Sequence, residues 1–509
     1  MQLKHLLHHL PDASVEGSTE KEIQGITYDS RRVSPGMIFV AIPGQHVDGH
    51  DYIDSAIDQG AAAIICERNG FLSQRATKIK VPDVREALAR AAATFYHNPS
   101  SKLKVIGVTG TNGKTTVAFM IKHLLETAGI KTGLMGTIRY EIGERIIPAH
   151  RTTPEALEVQ QMLAQMLRAD CEAVVMEVSS HALDQKRVVG VDFDVAIFTN
   201  LSQDHLDYHG SMEAYYNAKK KLFTSLVSEK KQGGTVINID DAFGQRLSSE
   251  TKVEVQLTYG LGEAAKLRAS QIQLGKDATN MVVETPERHF SCRLPLIGRH
   301  NVYNALAAVG AGLVLKVGVP ALKTALNTMD PVPGRLESLS AGRPFGIYVD
   351  YAHTEDALRN VLTTLREITP GRLLVMFGCG GSRDTGKRTK MGRAAAELAD
   401  FTIITTDNPR KESPAAIAAQ VEAGFLSVRQ DVYRVELDRR RAIDEIIRMA
   451  HKGDSVLIAG KGHETYQEFE DTVVPFDDRV YAQETLEALG SWMTATSEPH
   501  RQALERNAA

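Results

Sequence analysis

Ten residues between positions 107 and 116, GVTGTNGKTT, have the types and spacing to bind phosphate. They follow the apolar run KVIGVTG (104–110) and precede a helical pattern. In that setting backbone N–H groups can close on an anion. The helix N-terminus adds its positive end, and Lys114 adds a full charge. Thr115 is placed to meet the Mg²⁺ that accompanies a nucleotide. The strict phosphate-loop pattern needs glycine at 108, where this chain has Val108; its glycines fall at 107, 110 and 113. Glu177 lies in the strand-like AVVMEVSS (173–180). Ligands of open α/β sheets gather at strand carboxyl ends, so Glu177 reads either as a ligand for a hard cation or as a solvated strand-end carboxylate. His205, in a loop after the next strand, reads by itself as surface. The lysines of AKKKLF (218–223) read by themselves as a solvated helix face, and RRR (439–441) is assigned to solvent.

Such residues need rigid elements behind them, and the pattern supplies three α/β blocks. The first, 1–98, opens with a short amphipathic helix before Pro11. It has strands at 36–42 and 61–67 around a helix at 52–59, then a helix at 87–95 and a turn at 97–102. The second, 99–331, has strands at 104–110, 173–180, 193–200 and 234–240, separated mostly by helices, which predicts a mostly parallel sheet. Its stretch 251–297 reads as short strands forming an antiparallel edge, and an apolar helix follows at 301–315. The break PVPGR (331–335) leads into the third block, 332–494. There strands at 345–351, 372–378, 401–407 and 454–460 alternate with helices at 354–368, 388–399, 414–425 and 438–451. That alternation predicts a second doubly wound, Rossmann-like sheet. Residues 495–509 are a polar tail.

The 509 residues suffice for three such cores. A net charge of -4 excludes a dedicated nucleic-acid binder. The four cysteines, Cys66, Cys171, Cys292 and Cys379, form no CxxC pair, which argues against a disulfide scaffold or zinc cluster and fits a reducing cytoplasm. No apolar run reaches the roughly 18 residues of a membrane span.

TGTNGKTT (109–116) is followed in order by EVSSHALDQKR (177–187), TNLSQDHLDYHG (199–210), AKKKLF (218–223), GRHNVYNALAA (298–308), PGRLE (333–337) and DYAHTEDAL (350–358). The set resembles the Mur ligases, ATP-dependent amide-bond-forming enzymes of peptidoglycan precursor synthesis, over nearly the whole chain. The resemblance implies an N-terminal UDP-binding domain, a central ATP-binding domain and a C-terminal amino-acid-binding domain. ATP would contact Gly110, Thr111, Asn112, Gly113, Lys114, Thr115, Thr116, Asn301, Arg335 and Asp350. Mg²⁺ would be held by Thr115, Glu177, His205 and Lys219, the last as a carbamate derived from CO₂. Lys114, Glu177, His205 and Lys219 would be the catalytic set.

TYDSRRVSPGMIFVAIPGQHVDGHDYI (27–53) resembles the UDP-binding domain of members that add the third or the last peptide residues. On that likeness Ser30, Gln45, His46, Val47, Thr152, Thr153, Ser179, Gln185 and Arg187 would bind UDP-MurNAc-L-Ala-D-Glu. DNPR (407–410), GGSRD (380–384) and AGKGHE (459–464) resemble the members that add meso-diaminopimelate. Arg383, Asp407, Asn408, Pro409, Arg410, Gly460 and Glu464 would bind it, with Arg410 forked onto its distal carboxylate. Ser382 departs from the Asp of many relatives. The resemblance thus implies a monomeric, cytoplasmic bacterial ligase. The rivals are an L-lysine-adding ligase, folylpolyglutamate synthase (whose family lacks the DSRRVSPG domain) and a phosphate-loop regulatory ATPase that does not ligate.

Overall fold

The computed structural model describes residues 1–489 apart from 11, 45–46, 69–74, 229–230, 340–341 and 383. Gln45, His46, Arg383 and the tail 495–509 therefore lie outside the described residues. The chain forms two compact units. One holds 1–269, 283–289 and 303–325; the other holds 270–282, 290–302 and the chain from 326 onward.

The first unit contains an N-terminal sheet and most of a central one. In the N-terminal one, Ser14–Glu16, Thr77–Lys80, Ala63–Cys66, Met37–Val40 and Gly25–Thr27 lie side by side in that order. Only the first pairing is antiparallel. The helix Val84–Phe95 starts where the Asp83 side chain accepts from the Glu86 N–H, and it buries Val84, Leu88 and Ala92. Leu3 and Leu6 of the helix Leu3–Leu7 join this core.

In the central sheet Lys104–Thr109 runs parallel to Ala173–Glu177 on one side and to Val195–Phe198 on the other. After Lys104–Thr109 the chain builds toward Thr132–Met135 and Ala173–Glu177, then crosses back to Val195–Phe198 and Gly234–Asn238. That reversal makes the carboxyl end of Lys104–Thr109 a topological switch point, where a crevice opens between loops. Residues 105–109, 173–177 and 195–198 are all buried, as strands covered on both faces must be.

The stretch 251–297 forms the expected short strands at one edge of this sheet, Val255–Gly260, Leu267–Leu274, Thr279–Glu284 and His289–Leu294 in that order. The four-residue connections 275–278 and 285–288 join the last three as antiparallel hairpins; the pairing of the first two is corrected. Val255–Gly260 runs parallel to Gly234–Asn238, and Leu267–Leu274 begins parallel to it through Tyr259↔Leu267. A second antiparallel edge lies at the opposite side of the sheet, where Thr132–Met135 pairs with Arg139–Ile142 and that strand with Arg145–Pro148. The turn of this hairpin is closed by Gly143 at φ +59°, a conformation two-residue hairpin turns require. Its short strands carry mixed polarity, so alternation did not reveal them.

In the second unit Gly346–Asp350, Ser455–Ala459, Leu373–Phe377, Phe401–Ile404 and Tyr433–Val435 are parallel neighbours in that order. The helices Glu355–Ile368, Gly386–Leu398, Pro414–Leu426 and Arg439–Arg448 alternate with these strands along the chain. Elements not recognised in the sequence include Ser14–Glu16, Gly25–Thr27, Thr77–Lys80, Thr132–Met135, Tyr433–Val435, the helix Val319–Asn327 and the hairpin Tyr466–Phe469/Thr472–Pro475. Arg439 is also corrected. It is not a solvated residue; its side chain is fully buried against Asp478. All four cysteines are buried, and none is in a disulfide. No helix among the described residues is long and apolar enough to cross a membrane.

Candidate active site

In the first unit the loop after Lys104–Thr109 turns through Gly110 (φ +148°) and Gly113 (φ +86°) into the helix Lys114–Thr127. A side chain at Gly110 would sit 1.9 Å from Thr199 Oγ1, so only glycine lets the loop approach its neighbour. That neighbour is the loop after Val195–Phe198. Thr111 N–H donates to Asn200 O (2.8 Å), Asn112 N–H to Asn200 Oδ1 (3.0 Å) and Thr199 Oγ1 to Asn112 O (2.7 Å). These bonds pre-form the loop, so ligand binding need not order it.

Two lysine side chains converge on one carbonyl here. Lys114 Nζ donates to Gly110 O (3.0 Å) and Thr111 O (2.8 Å), and Lys219 Nζ donates to Gly110 O at 2.7 Å. Lys219 is buried, with Nζ 4.5 Å from the Tyr215 ring centroid. Burial and the nearby Lys114 charge hold its amine well below the usual lysine range. Its neighbours Lys220 and Lys221 reach Glu250 and Asp184 at the surface. The helix Met212–Thr224 thus buries one lysine of the three, and the charge beside it that suits an anion is that of Lys114.

Glu177 is fully buried and meets neutral donors. Thr115 Oγ1 (3.0 Å) and Thr137 Oγ1 (2.9 Å) donate to one carboxylate oxygen and the Thr137 N–H (2.8 Å) to the other. Among the described residues it makes no ion pair. These three donors offset part of the cost of burying the carboxylate, and a cation arriving with a ligand would offset more. His205 begins a short helical turn at φ +53°, its ring 4.7 Å from that of His181. It is half exposed, yet burial of one ring face and the Lys114 and Lys219 charges lower its pKa, outweighing the opposing pull of Asp204. Burial pushes His181 down to about 4. Neutral imidazole, hydroxyl and carboxylate are donors that can hold a hard divalent cation. Mg²⁺ commonly uses one or two such groups together with phosphate oxygens.

Beside this crevice Thr153 Oγ1 donates to Glu177 O (2.7 Å) and accepts from the Ser179 N–H (3.1 Å). Thr152 Oγ1 lies 3.1 Å from Thr137 Oγ1. Arg187 donates to Gln185 Oε1 (2.6 Å) and Thr153 O (3.0 Å). Thr152, Thr153, Ser179, Gln185 and Arg187 therefore form one connected group. Ser30 sits in the turn Ser30–Arg32, and Val47 is exposed. Thr137, Asn200 and Tyr215 were missed. Asn200 and Tyr215 lie in or near quoted motifs, whereas nothing in the sequence marks Thr137.

In the second unit the loops after four strands meet. Asp350 accepts from the Leu336 and Ala352 N–H groups (both 2.8 Å); burial pushes its carboxyl up against the pull of Arg335. Arg335 stacks 4.9 Å over the Tyr351 ring, and His353 Nδ1 lies 2.8 Å from Tyr351 O. Asn301 is buried and donates to Ile297 O (2.8 Å). Asn408 Nδ2 donates to Glu464 Oε2 (2.9 Å), and Lys461 Nζ reaches Asn408 Oδ1 (3.1 Å) and Glu464 Oε2 (3.0 Å). Glu464 thus faces an ammonium of the chain itself. Lys461 was not singled out, although it stands inside AGKGHE. Gly460 (φ +110°) leaves no room for a side chain beside Asp407 Oδ2, which a Cβ would meet at 2.7 Å. The Pro409 carbonyl packs so closely on Gly381 that a Cβ there would meet it at 1.9 Å. Arg410 donates to Glu468 Oε2 (2.8 Å) and Gly381 O (2.9 Å).

A glycine loop at the switch point of one α/β sheet and a polar loop cluster at the carboxyl ends of another have the geometry of a nucleotide-binding α/β protein. Residues 108–312 match the Mur ligase middle domain, 334–462 the Mur ligase glutamate ligase domain and 22–96 the Mur ligase family catalytic domain. The chain belongs to the Mur ligase family. It is similar to the UDP-N-acetylmuramoyl-L-alanyl-D-glutamate–2,6-diaminopimelate ligase of Syntrophomonas wolfei, at 43% identity over 96% of this chain and 99% of that one. The protein of the same name from Geobacillus thermodenitrificans is 44% identical over 95% and 98%. A solved structure of a ligase of that name is 32% identical, with a TM-score of 0.71 over 96% of this chain and 99% of that one.

Proposed function

We propose that this chain is an ATP-dependent ligase that joins meso-diaminopimelate to the γ-carboxylate of D-glutamate in UDP-MurNAc-L-Ala-D-Glu, in bacterial peptidoglycan precursor synthesis. The end-to-end likeness to diaminopimelate ligases carries this reading. The γ-phosphoryl group of ATP passes to a carboxylate oxygen, giving an acyl phosphate and ADP. The free amine of diaminopimelate attacks the carbonyl carbon. The tetrahedral adduct expels phosphate, the nitrogen loses its proton, and an amide remains.

The chain's contribution is binding, orientation and charge neutralisation. Gly110 to Thr116 hold the phosphates, with Lys114 opposing their charge; Asn301, Arg335 and Asp350 bind the rest of the nucleotide. Thr115, Glu177 and His205 would hold Mg²⁺, which would supply charge neutralisation when bound. Ser30, Gln45, His46, Val47, Thr152, Thr153, Ser179, Gln185 and Arg187 bind the uridine nucleotide. Arg383, Asp407 to Arg410, Gly460 and Glu464 bind diaminopimelate. Segments 1–98, 99–331 and 332–494 act as domains for the uridine nucleotide, ATP and amino acid, in a monomer of the cytoplasm.

Phosphate release tests the reading. It should require ATP, UDP-MurNAc-dipeptide and diaminopimelate together. Turnover with ATP alone would make the chain a regulatory ATPase, and equal turnover with L-lysine would make it a lysine-adding ligase.

Lys219 belongs to the same reading. Its Nζ, as free base, adds to CO₂; an N–C bond forms, one proton goes to solvent and a carbamate carries the negative charge. The burial that favours the free amine supports this step, and the reversed charge turns a repelling group into a metal ligand. Lys219→Ala should be severely impaired and partly rescued by short carboxylates. Electron density for an unmodified Lys219 in a nucleotide-bound crystal would remove the claim.

A further inference from the structure

Arg439 immediately precedes the exposed Arg440 and Arg441, yet its side chain and that of Asp478 are both wholly buried. Arg439 Nε and Nη2 pair with the two Asp478 oxygens at 2.7 Å each. The rest of the guanidinium is spent on backbone. Nη2 also donates to Ala459 O (2.9 Å) and Nη1 to Thr406 O (3.3 Å). Ala459 immediately precedes Gly460, and Thr406 immediately precedes Asp407.

The strands that lead to these two carbonyls are not neighbours. Leu373–Phe377 lies between Ser455–Ala459 and Phe401–Ile404. The sheet ladder therefore ties each strand to the middle one, while a single planar cation spans all three at their carboxyl ends. A planar fork fixes distance and angle at once, which a flexible ammonium cannot do. Gln467 adds to the same bracing, donating to Asp407 O at 2.9 Å.

We infer that Arg439, held by Asp478, is a positioning residue that sets the separation of the Asp407–Arg410 and Gly460–Glu464 loops, and so the fit of the amino acid. This rests on the reading of those loops as the diaminopimelate pocket. Neither residue touches the substrate in this scheme. A shift of about 1 Å in a binding group lowers activity by up to about a hundredfold.

Steady-state kinetics on Arg439→Lys, and on the double variant Arg439→Met with Asp478→Leu, test the inference. The double variant replaces the buried pair by apolar groups of similar size, a change that commonly preserves folding. Both should raise the KM for diaminopimelate roughly tenfold or more, leave the KM for ATP and for the uridine nucleotide within about twofold, and narrow the preference for diaminopimelate over L-lysine. A folded double variant with an unchanged diaminopimelate KM would overturn the inference, as would equal rises in all three KM values. A wild type that does not use diaminopimelate would instead overturn the pocket assignment, so the two failures are separable.

Discussion

Lys114→Ala is expected to abolish measurable ligation while the protein stays folded. The ammonium and the Lys219 amine both point at Gly110 O, so Lys114 supplies the principal permanent charge at the loop. Transition-state charge on a transferring phosphoryl group is stabilised by such fixed donors, and loss of one costs roughly a hundredfold to a thousandfold in rate. Structurally the substitution removes two hydrogen bonds to loop carbonyls, about 1–3 kcal/mol each, which a chain of this size can absorb. Phosphate release, read beside a thermal melt, checks both halves. Near-wild-type turnover in the folded variant would end the assignment of ATP to this loop. Lys114→Arg keeps the charge and changes its shape, so it reports how much of the effect is geometric.

Arg410→Ala is expected to act on one substrate alone. Diaminopimelate and L-lysine differ by a distal carboxylate, and Arg410 is the group proposed to receive it. Glu468 and the Gly381 carbonyl fix the Nε and Nη1 sides of the guanidinium, which orients the fork. Arg410 has φ +51°, a conformation that arginine and alanine tolerate equally poorly, so the substitution tests the guanidinium and not the backbone. Removing one partner of a buried, hydrogen-bonded charge pair costs about 2–5 kcal/mol, or roughly thirtyfold and upward in affinity. The loss should fall on the diaminopimelate KM, with activity on L-lysine and the affinities for ATP and uridine nucleotide little changed. A wild type equally efficient with both amino acids would replace this reading with the lysine-adding one.

The sequence by itself determined the principal strands and helices of the two parallel sheets and the order of the loops that follow them. Buried strands such as Val105–Thr109, Ala173–Glu177 and Leu373–Phe377 are continuous apolar runs, which period and composition reveal. Glycines 110, 113 and 460 stand where positive φ or close approach excludes a side chain, and each was legible as part of a glycine-rich turn. What the tertiary structure decided was which face of an element is inside and which loops are neighbours. AKKKLF and RRR look alike as solvated charge runs. Yet a helix turns about 100° per residue, so one residue of each run, Lys219 and Arg439, faces inward while those beside it reach water. The meeting of the Gly110–Gly113 loop with Thr199 and Asn200, and of Lys461 with Asn408 and Glu464, follows from strand order across the sheet. Strand order joins residues dozens of positions apart through crossovers, and no local period encodes it.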